Sequence, residues 1–143
     1  MIYGIGTDIV AVERLAAFYA RHGEAGLRHI LAPAEAAAFR QLSPARQSGF
    51  LARRWAAKEA LGKALGTGMR PPATFTAISI EHDALGKPCF HFDAALQEIF
   101  DTLCLRAHLS LSDEARYALA FVLLESDPPS SLHRAPDGQS IPG

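Results

Sequence analysis

Five stretches of the chain favour β-strands. Four of them are short and rich in β-branched or alternating apolar residues, and the last is almost wholly apolar, as is typical of a central strand. They are residues 1–10, 75–82, 89–92, 107–112 and 117–124. The segment from Asp83 to Pro88 contains glycine and proline and predicts a turn, so the second and third strands form a hairpin.

Apolar residues that recur at intervals of three and four residues predict four helices between these strands. They are residues 12–22, a short segment that opens at Pro33, a long segment after Pro44 that ends at Gly66 and Gly68, and a segment capped by Asp93. This order predicts a single α+β domain over residues 1–125. Residues 126–143 are rich in proline, serine and glycine and are expected to form a flexible tail.

The bulk composition is that of one globular domain. The chain has 143 residues, of which 49% are hydrophobic and 20% are charged, and its formal net charge is −1. This balance gives no overall field that would favour nucleic acid or a membrane surface as a partner. The two cysteines cannot form a disulfide framework, no apolar run reaches 18 residues, and the first residues lack the basic segment of a signal peptide. We therefore expect a soluble cytoplasmic protein.

Asp8 lies in the first strand on the same face as Gly4 and Gly6, because side chains alternate across a strand. Glycines weaken a strand unless a backbone or a ligand must approach closely, so this face is a candidate site. The alternative is a hairpin or bulge at which Asp8 is simply exposed to solvent.

Glu59 and Lys63 are the candidate functional residues of the long helix. Ala57, Leu61 and Leu65 share its buried face, and Glu59 lies about 200° around the helix from Leu61. Lys63 is expected beside Glu59, where the two could also form an ordinary surface ion pair. Two carboxylates suit Mg²⁺ and a lysine suits phosphate, but neither Asp8 nor Glu59 alone indicates a metal. The sequence contains no Walker A loop, GxGxxG motif or nucleophile elbow.

Two segments of the sequence resemble the signatures of the 4′-phosphopantetheinyl transferase superfamily. They are Ile5-Gly6-Thr7-Asp8-Ile9-Val10 and the run from Arg54 to Ala64. The resemblance continues at Gly66-Thr67-Gly68, at Leu85-Gly86-Lys87-Pro88 and from His108 to Ala120, and so covers nearly all of residues 1–125. The short length is similar to one branch, the holo-acyl-carrier-protein synthases. The resemblance implies a mostly antiparallel sheet packed with helices.

The same resemblance implies transfer of the 4′-phosphopantetheine group from coenzyme A to a serine of apo acyl carrier protein, in fatty acid biosynthesis. Asp8 and Glu59 would bind Mg²⁺ together with the coenzyme A pyrophosphate. Lys63 would neutralise the phosphates, with Lys58 as a weaker candidate, since phosphoryl-type transfer depends on positioning and charge. The attacking serine belongs to the partner, and Glu59 is the expected base, directly or through a water.

Further binding residues follow from the resemblance. Arg54 and the Gly86-Lys87-Pro88 turn are expected to contact the nucleotide end of coenzyme A, although they could equally be surface cations. The stripe of Arg14, Phe18 and Arg21 on the first helix could be a solvated basic face or a surface for an acidic, partly apolar partner. Its counterparts in relatives dock acyl carrier protein. Relatives form trimers with active sites between subunits, so we expect a homotrimer.

Asp113 departs from the family pattern. It follows Ser112 at a position where many relatives carry histidine. A cation there could meet the 3′-phosphate of coenzyme A, whereas an aspartate could not do so directly. The resemblance therefore implies the metal site without this contact, and the nearby His108 is expected to have a structural role.

Two other functions stay open at this point. A related enzyme could modify the carrier domains of polyketide or peptide synthases, but such enzymes are usually longer and have two similar halves. A non-catalytic subunit that binds coenzyme A or a carrier protein is the alternative from another class. The presence of Asp8, Glu59 and Lys63 argues against it.

Overall fold

The computed structural model describes residues 1–127, and within them the predicted order of strands and helices is confirmed. The elements are β1 (Ile2–Ala11), α1 (Val12–Gly26), a 3₁₀ turn (Leu27–His29), α2 (Pro33–Arg40), α3 (Pro44–Leu65), β2 (Ile78–His82), β3 (Pro88–Phe92), α4 (Ala94–Thr102), β4 (Leu105–Asp113) and β5 (Tyr117–Ser126). The first residue of the predicted tail, Ser126, belongs to β5. Residues 128–143 of that tail lie outside the described part of the chain.

β5 is the central strand of a three-stranded antiparallel sheet, with β1 on one side and β4 on the other. Alternate residues of β5 from Ala118 to Leu124 are buried, whereas Tyr117, Leu119 and Phe121 on the opposite face are exposed. Within residues 1–127 the sheet is therefore covered on one face only. β2 and β3 form a separate two-stranded hairpin.

The long helix α3 covers the inner face of the sheet and lies directly on β1. Its buried residues surround nearly the whole helix rather than one face. A Cβ atom added to Gly6 would lie 2.0 Å from the Ala60 carbonyl oxygen, and one added to Gly4 would lie 2.0 Å from that of Ala64. The strand glycines therefore allow close approach of a helix backbone, which is one of the two explanations that the sequence left open.

Glycines interrupt or end helices at two predicted points. Gly23 has φ 60° and ψ −149° and interrupts α1, although the helix resumes and continues to Gly26. Gly66 follows α3 in the left-handed conformation, with φ 79°, and its N–H donates to the Lys63 carbonyl oxygen. None of the helices within residues 1–127 is long and apolar enough to cross a membrane.

The second strand is shorter than the sequence predicted. It begins at Ile78 instead of Phe75, because the Ala77 N–H closes a turn on the Thr74 carbonyl oxygen at 3.2 Å. The Phe75 carbonyl oxygen accepts a hydrogen bond from the Lys58 ammonium at 2.8 Å. This segment is therefore tied to α3 and is not part of the hairpin.

Candidate active site

Asp8 and Lys63 meet between β1 and α3. The Lys63 Nζ atom donates hydrogen bonds to the Thr7 carbonyl oxygen at 2.8 Å and to Asp8 Oδ1 at 3.2 Å. Asp8 shares the inner face of β1 with Gly6, and only 16% of its side chain is exposed. The alternative of an Asp8 that is freely exposed on a bulge is therefore wrong.

Glu59 lies beside this pair. Burial and, next, the Asp8 carboxylate raise the pKa of Glu59, while Lys63 and Arg14 act in the opposite direction. Two carboxylates and two cations thus form one group of charges, the Asp8–Glu59 cluster, defined as Asp8, Glu59, Lys63 and Arg14. The simple surface pair of Glu59 with Lys63 is not formed within residues 1–127, where Lys63 pairs with Asp8 instead.

The two carboxylates fit a divalent cation. Asp8 Oδ2 is buried and has no hydrogen-bond partner among the described residues, and a buried oxygen of this kind requires an explanation. Glu59 supplies a second carboxylate close to it. No group of three or more His, Cys, Asp or Glu side chains in residues 1–127 could hold a metal. A cation bound here would keep coordination positions for phosphate oxygens and water, as Mg²⁺ does.

The predicted docking stripe borders a groove beside the cluster. Arg14, Phe18 and Arg21 line it together with Trp55 of α3, and its volume is about 240 Å³. The Arg14 guanidinium lies 5.4 Å from the centroid of the Trp55 ring. The charge of the same guanidinium lowers the pKa of Glu59. The fold therefore brings the stripe next to the candidate metal ligands. Trp55 has no role predicted from the sequence, although it is the single tryptophan and precedes Glu59 by four residues.

Arg54 and Lys58 do not face the cluster. Lys58 is fully buried, and its ammonium donates to the carbonyl oxygens of Ile30 at 2.7 Å and Phe75 at 2.8 Å and to Glu35 Oε1 at 2.5 Å. Arg54 is also buried, with its Nε atom 3.3 Å from Glu35 Oε2. Burial lowers the pKa of both cations, that of Lys58 to about 8. These positions argue against the predicted contacts of Arg54 and Lys58 with coenzyme A.

Glu35 is the common partner of these cations, and sequence reasoning missed it. It lies in the first turn of α2 and accepts the Ala32 N–H at 3.0 Å. A glutamate at this position often bonds to the backbone N–H that precedes the helix. That local pattern could have indicated the bond to Ala32, but the partners from α3 come together only in the fold.

The Gly86-Lys87-Pro88 turn lies in the exposed connection of the hairpin. Asp83 Oδ1 accepts the backbone N–H groups of Leu85 and Lys87, both at 2.9 Å, and so fixes the shape of the turn. Within the described residues, no hydrogen bond or ion pair joins this turn to the Asp8–Glu59 cluster. The contact of the turn with a nucleotide stays a prediction.

Two residues of β4 contact side chains of opposite or acidic character: Asp113 forms an ion pair, and His108 a hydrogen bond. Asp113 lies 3.1 Å from the Arg53 guanidinium of α3, and His108 lies 2.7 Å from Glu125 on the neighbouring strand. The hydrogen bond between His108 and Glu125 lowers the pKa of the glutamate carboxyl. Both contacts are made within the domain, which is consistent with a structural role for His108.

The sequence and the structure both match one family of known proteins. Residues 4–122 match the 4′-phosphopantetheinyl transferase superfamily. The chain belongs to this superfamily. It is 57% identical over 126 residues to a holo-[acyl-carrier-protein] synthase from Dechloromonas aromatica, and the alignment covers 87% of this chain and 98% of that protein.

Solved structures give the same result. The crystal structure of holo-[acyl-carrier-protein] synthase from Neisseria meningitidis aligns with a TM-score of 0.83 and 45% identity, covering 88% of this chain and 100% of that one. A holo-(acyl-carrier-protein) synthase from Bacillus anthracis, crystallised in complex with CoA (3′,5′-ADP), aligns with a TM-score of 0.75 and 33% identity, covering 89% and 99%. The predicted family and the α+β fold are thereby confirmed.

Proposed function

We propose that this chain transfers the 4′-phosphopantetheine group of coenzyme A to a serine hydroxyl of apo acyl carrier protein. The products are holo acyl carrier protein and adenosine 3′,5′-bisphosphate. The observation that carries the proposal is the convergence of Asp8, Glu59 and Lys63 between β1 and α3. The relatives described above are holo-acyl-carrier-protein synthases. With acyl carrier protein as the acceptor, we assign the reaction to fatty acid biosynthesis in the cytoplasm.

Asp8 and Glu59 are the residues that would hold Mg²⁺. The buried Asp8 Oδ2, which has no hydrogen-bond partner within residues 1–127, and the neighbouring Glu59 carboxylate support this assignment. When bound, Mg²⁺ would neutralise negative charge on the coenzyme A pyrophosphate. Because the described part of the chain offers two carboxylates there, the pyrophosphate oxygens would supply further ligands.

Lys63 supplies positive charge on the phosphate side. Its Nζ atom is held by the Thr7 carbonyl oxygen and by Asp8, so the ammonium is oriented before substrate binds. More than half of the Lys63 side chain is exposed, and its third N–H donor has no acceptor among residues 1–127, so it is available for a phosphate oxygen. As the leaving bisphosphate gains negative charge, a cation fixed at this position stabilises it.

Glu59 is the proposed acceptor of the serine proton. Burial and the Asp8 carboxylate raise the pKa of Glu59 when no cation is bound. Mg²⁺ held by the two carboxylates would act against this increase, so the proposal rests on the position of Glu59 beside Asp8 and Lys63. The serine oxygen forms a bond to the phosphorus of phosphopantetheine, and the P–O bond to the leaving bisphosphate breaks. The serine proton passes to Glu59 directly or through a water.

The groove between α1 and Trp55 is the proposed docking surface for acyl carrier protein. Arg14 and Arg21 are exposed there, and Phe18 lies between them, half-buried. An acidic carrier would pair with the two arginines and cover the phenyl ring. Because Arg14 also acts on Glu59, a carrier bound at this groove would have its serine close to the cluster.

We propose that the sheet face left uncovered within residues 1–127 is the interface of a homotrimer. Ile5 and Ile9 of β1 are each 61% exposed, and Tyr117, Leu119 and Phe121 of β5 lie on the same face. A large apolar sheet face of this kind marks an interface more often than a free surface. Light scattering should give three times the chain mass of 15.4 kDa, and a monomer mass would contradict the proposal.

Incubation with coenzyme A, Mg²⁺ and apo acyl carrier protein tests the activity directly. Intact-mass measurement should show the carrier gaining one phosphopantetheine group, and a metal chelator should prevent the gain. Asp8→Asn should lower the rate at least ~100-fold, because it removes a charge that acts on the transferred group. Asp101→Asn changes an exposed aspartate of α4 and is the matched control. A carrier that binds but gains no mass would favour the non-catalytic subunit.

A further inference from the structure

A buried network of charges lies on the opposite side of α3 from β1. Its members are Glu35, Lys58 and Arg54, whose exposed fractions are 4%, 0% and 7%. All three ammonium donors of Lys58 are used inside the domain, two on backbone carbonyl oxygens and one on Glu35. None of these groups takes part in the chemistry described above.

Glu35 connects three elements through one carboxylate. Its Oε1 atom accepts from Lys58 of α3 and from the backbone N–H that precedes α2. Its Oε2 atom accepts the Ile80 N–H of β2 at 3.0 Å and lies 3.3 Å from the Arg54 Nε atom of α3. The orientation of α3 is therefore tied to α2 and to the hairpin at two points along the helix.

A buried ion pair is weak evidence for stability. The cost of desolvating the charges can exceed their attraction, and apolar side chains of similar volume often stabilise a fold equally well. This network differs from an apolar contact because hydrogen bonds are directional. Each one fixes an angle as well as a distance. A function in orientation therefore accounts for it better than a function in stability.

The contact of α3 with β1 does not by itself fix how far α3 is rotated about its own axis. Gly4 and Gly6 lie against the backbone of Ala60 and Ala64, so this contact fixes the distance between helix and strand. Among the described residues, the side-chain hydrogen bonds across this contact come from Lys63, whose stem is flexible and more than half exposed and so resists rotation of the helix only weakly. Within residues 1–127, no hydrogen bond holds the Glu59 carboxylate. At about 5–6 Å from the helix axis, a carboxylate moves by about 1 Å for a rotation of roughly 10°.

We propose that Glu35 and Lys58 are positioning residues that fix the rotation of α3 and so hold Glu59 opposite Asp8. Lys58 immediately precedes Glu59, so the anchor and the carboxylate share one helical turn. The inference rests on the proposed function, since Asp8 and Glu59 are paired as metal ligands only there. It differs from the role predicted for Lys58 in the sequence, because the ammonium acts through the helix and never touches the substrate.

The experiment measures binding of Mn²⁺ to the full chain in the presence of coenzyme A by electron paramagnetic resonance. Mn²⁺ suits carboxylate and phosphate oxygens as Mg²⁺ does. Glu35→Gln with Lys58→Met removes the two charges and keeps their approximate volumes. We expect a folded protein that binds Mn²⁺ ~10–100-fold more weakly, with a lower kcat and an unchanged KM for acyl carrier protein. Glu24→Gln with Arg40→Met removes an exposed ion pair and should change none of these values.

A second variant keeps the inference testable if the first one fails to fold. Glu35→Leu, Arg54→Met and Lys58→Met together leave no buried charge in the network, which is often neutral or stabilising. Wild-type affinity for Mn²⁺ in either folded variant would overturn the positioning role, and so would loss of the fold in both, since the network would then be structural. If the wild-type chain itself bound no Mn²⁺ with coenzyme A, the proposed metal site would be wrong, which is a distinguishable result.

Discussion

Replacing Gly6 with alanine tests whether the contact of α3 with β1 sets the geometry of the active site. The added Cβ atom would lie 2.0 Å from the Ala60 carbonyl oxygen and 2.8 Å from the Ala64 nitrogen. Ordinary van der Waals contact begins at 3.4 Å, so the helix backbone has to move away by roughly 1.4 Å. The obstacle is backbone, which cannot rotate aside as a flexible side chain could.

This displacement should affect catalysis more than stability. Overpacking of a well-packed contact costs about 1–3 kcal/mol, which most domains survive. Glu59 and Lys63 move with the helix, however, while Asp8 stays with the strand. A misplacement of about 1 Å lowers a rate by about 100-fold. We therefore expect a Gly6→Ala protein that folds but has lost at least ~100-fold in turnover.

Urea unfolding measures the stability, and the rate of mass gain by the carrier measures the turnover. Gly49→Ala is the matched control, because its added Cβ would meet only the flexible Arg53 guanidinium, at 3.2 Å. Alanine is a better helix former than glycine by about 1 kcal/mol, so this control should be at least as stable as wild type and equally active. A folded Gly6→Ala protein with wild-type turnover would refute the reasoning, whatever its unfolding midpoint.

Two further predictions concern charges of the site. Glu59→Gln removes a carboxyl whose pKa is raised above 4.5 in the fold. Such a group contributes stability below its unfolded pKa, and this stability is lost as the pH rises through the folded pKa. Without metal, the melting temperature of the variant should therefore be higher than that of wild type at pH 7. The two melting temperatures should approach each other near pH 4.5. Equal melting temperatures at pH 7 would contradict this. The double variant Arg14→Glu with Arg21→Glu should raise the KM for acyl carrier protein, and the increase should be smaller at high salt. The KM for coenzyme A should stay unchanged. A wild-type KM for carrier at low salt would exclude α1 as the docking face.

Local sequence patterns were sufficient to predict the helices and strands. What these patterns could not predict depends on contacts between segments that are distant in the sequence. Alternation along β1 correctly assigned Gly6 and Asp8 to one face, but the reason for the glycine is the backbone of Ala60, which lies far away in the sequence. The apolar run of β5 indicated a central strand, yet Phe121 remains exposed within the described residues. A run of apolar residues indicates that both faces of the strand are shielded from water. It does not indicate which part of the protein, or which partner, covers the second face.

The cations of α3 show most clearly where information within one helix ends. Lys58 and Lys63 are five residues apart and therefore point about 140° apart around the helix. The Lys63 side chain points towards Asp8 on β1 and towards solvent. The Lys58 side chain points into the core, where it contacts Glu35 on α2. The residues of α3 do not encode this difference, because it depends on where α2 lies. A buried lysine next to a functional carboxylate is therefore better sought through its acidic partner. Glu35, with alanines on both sides in the sequence, is an acid without a neighbouring cation to neutralise it.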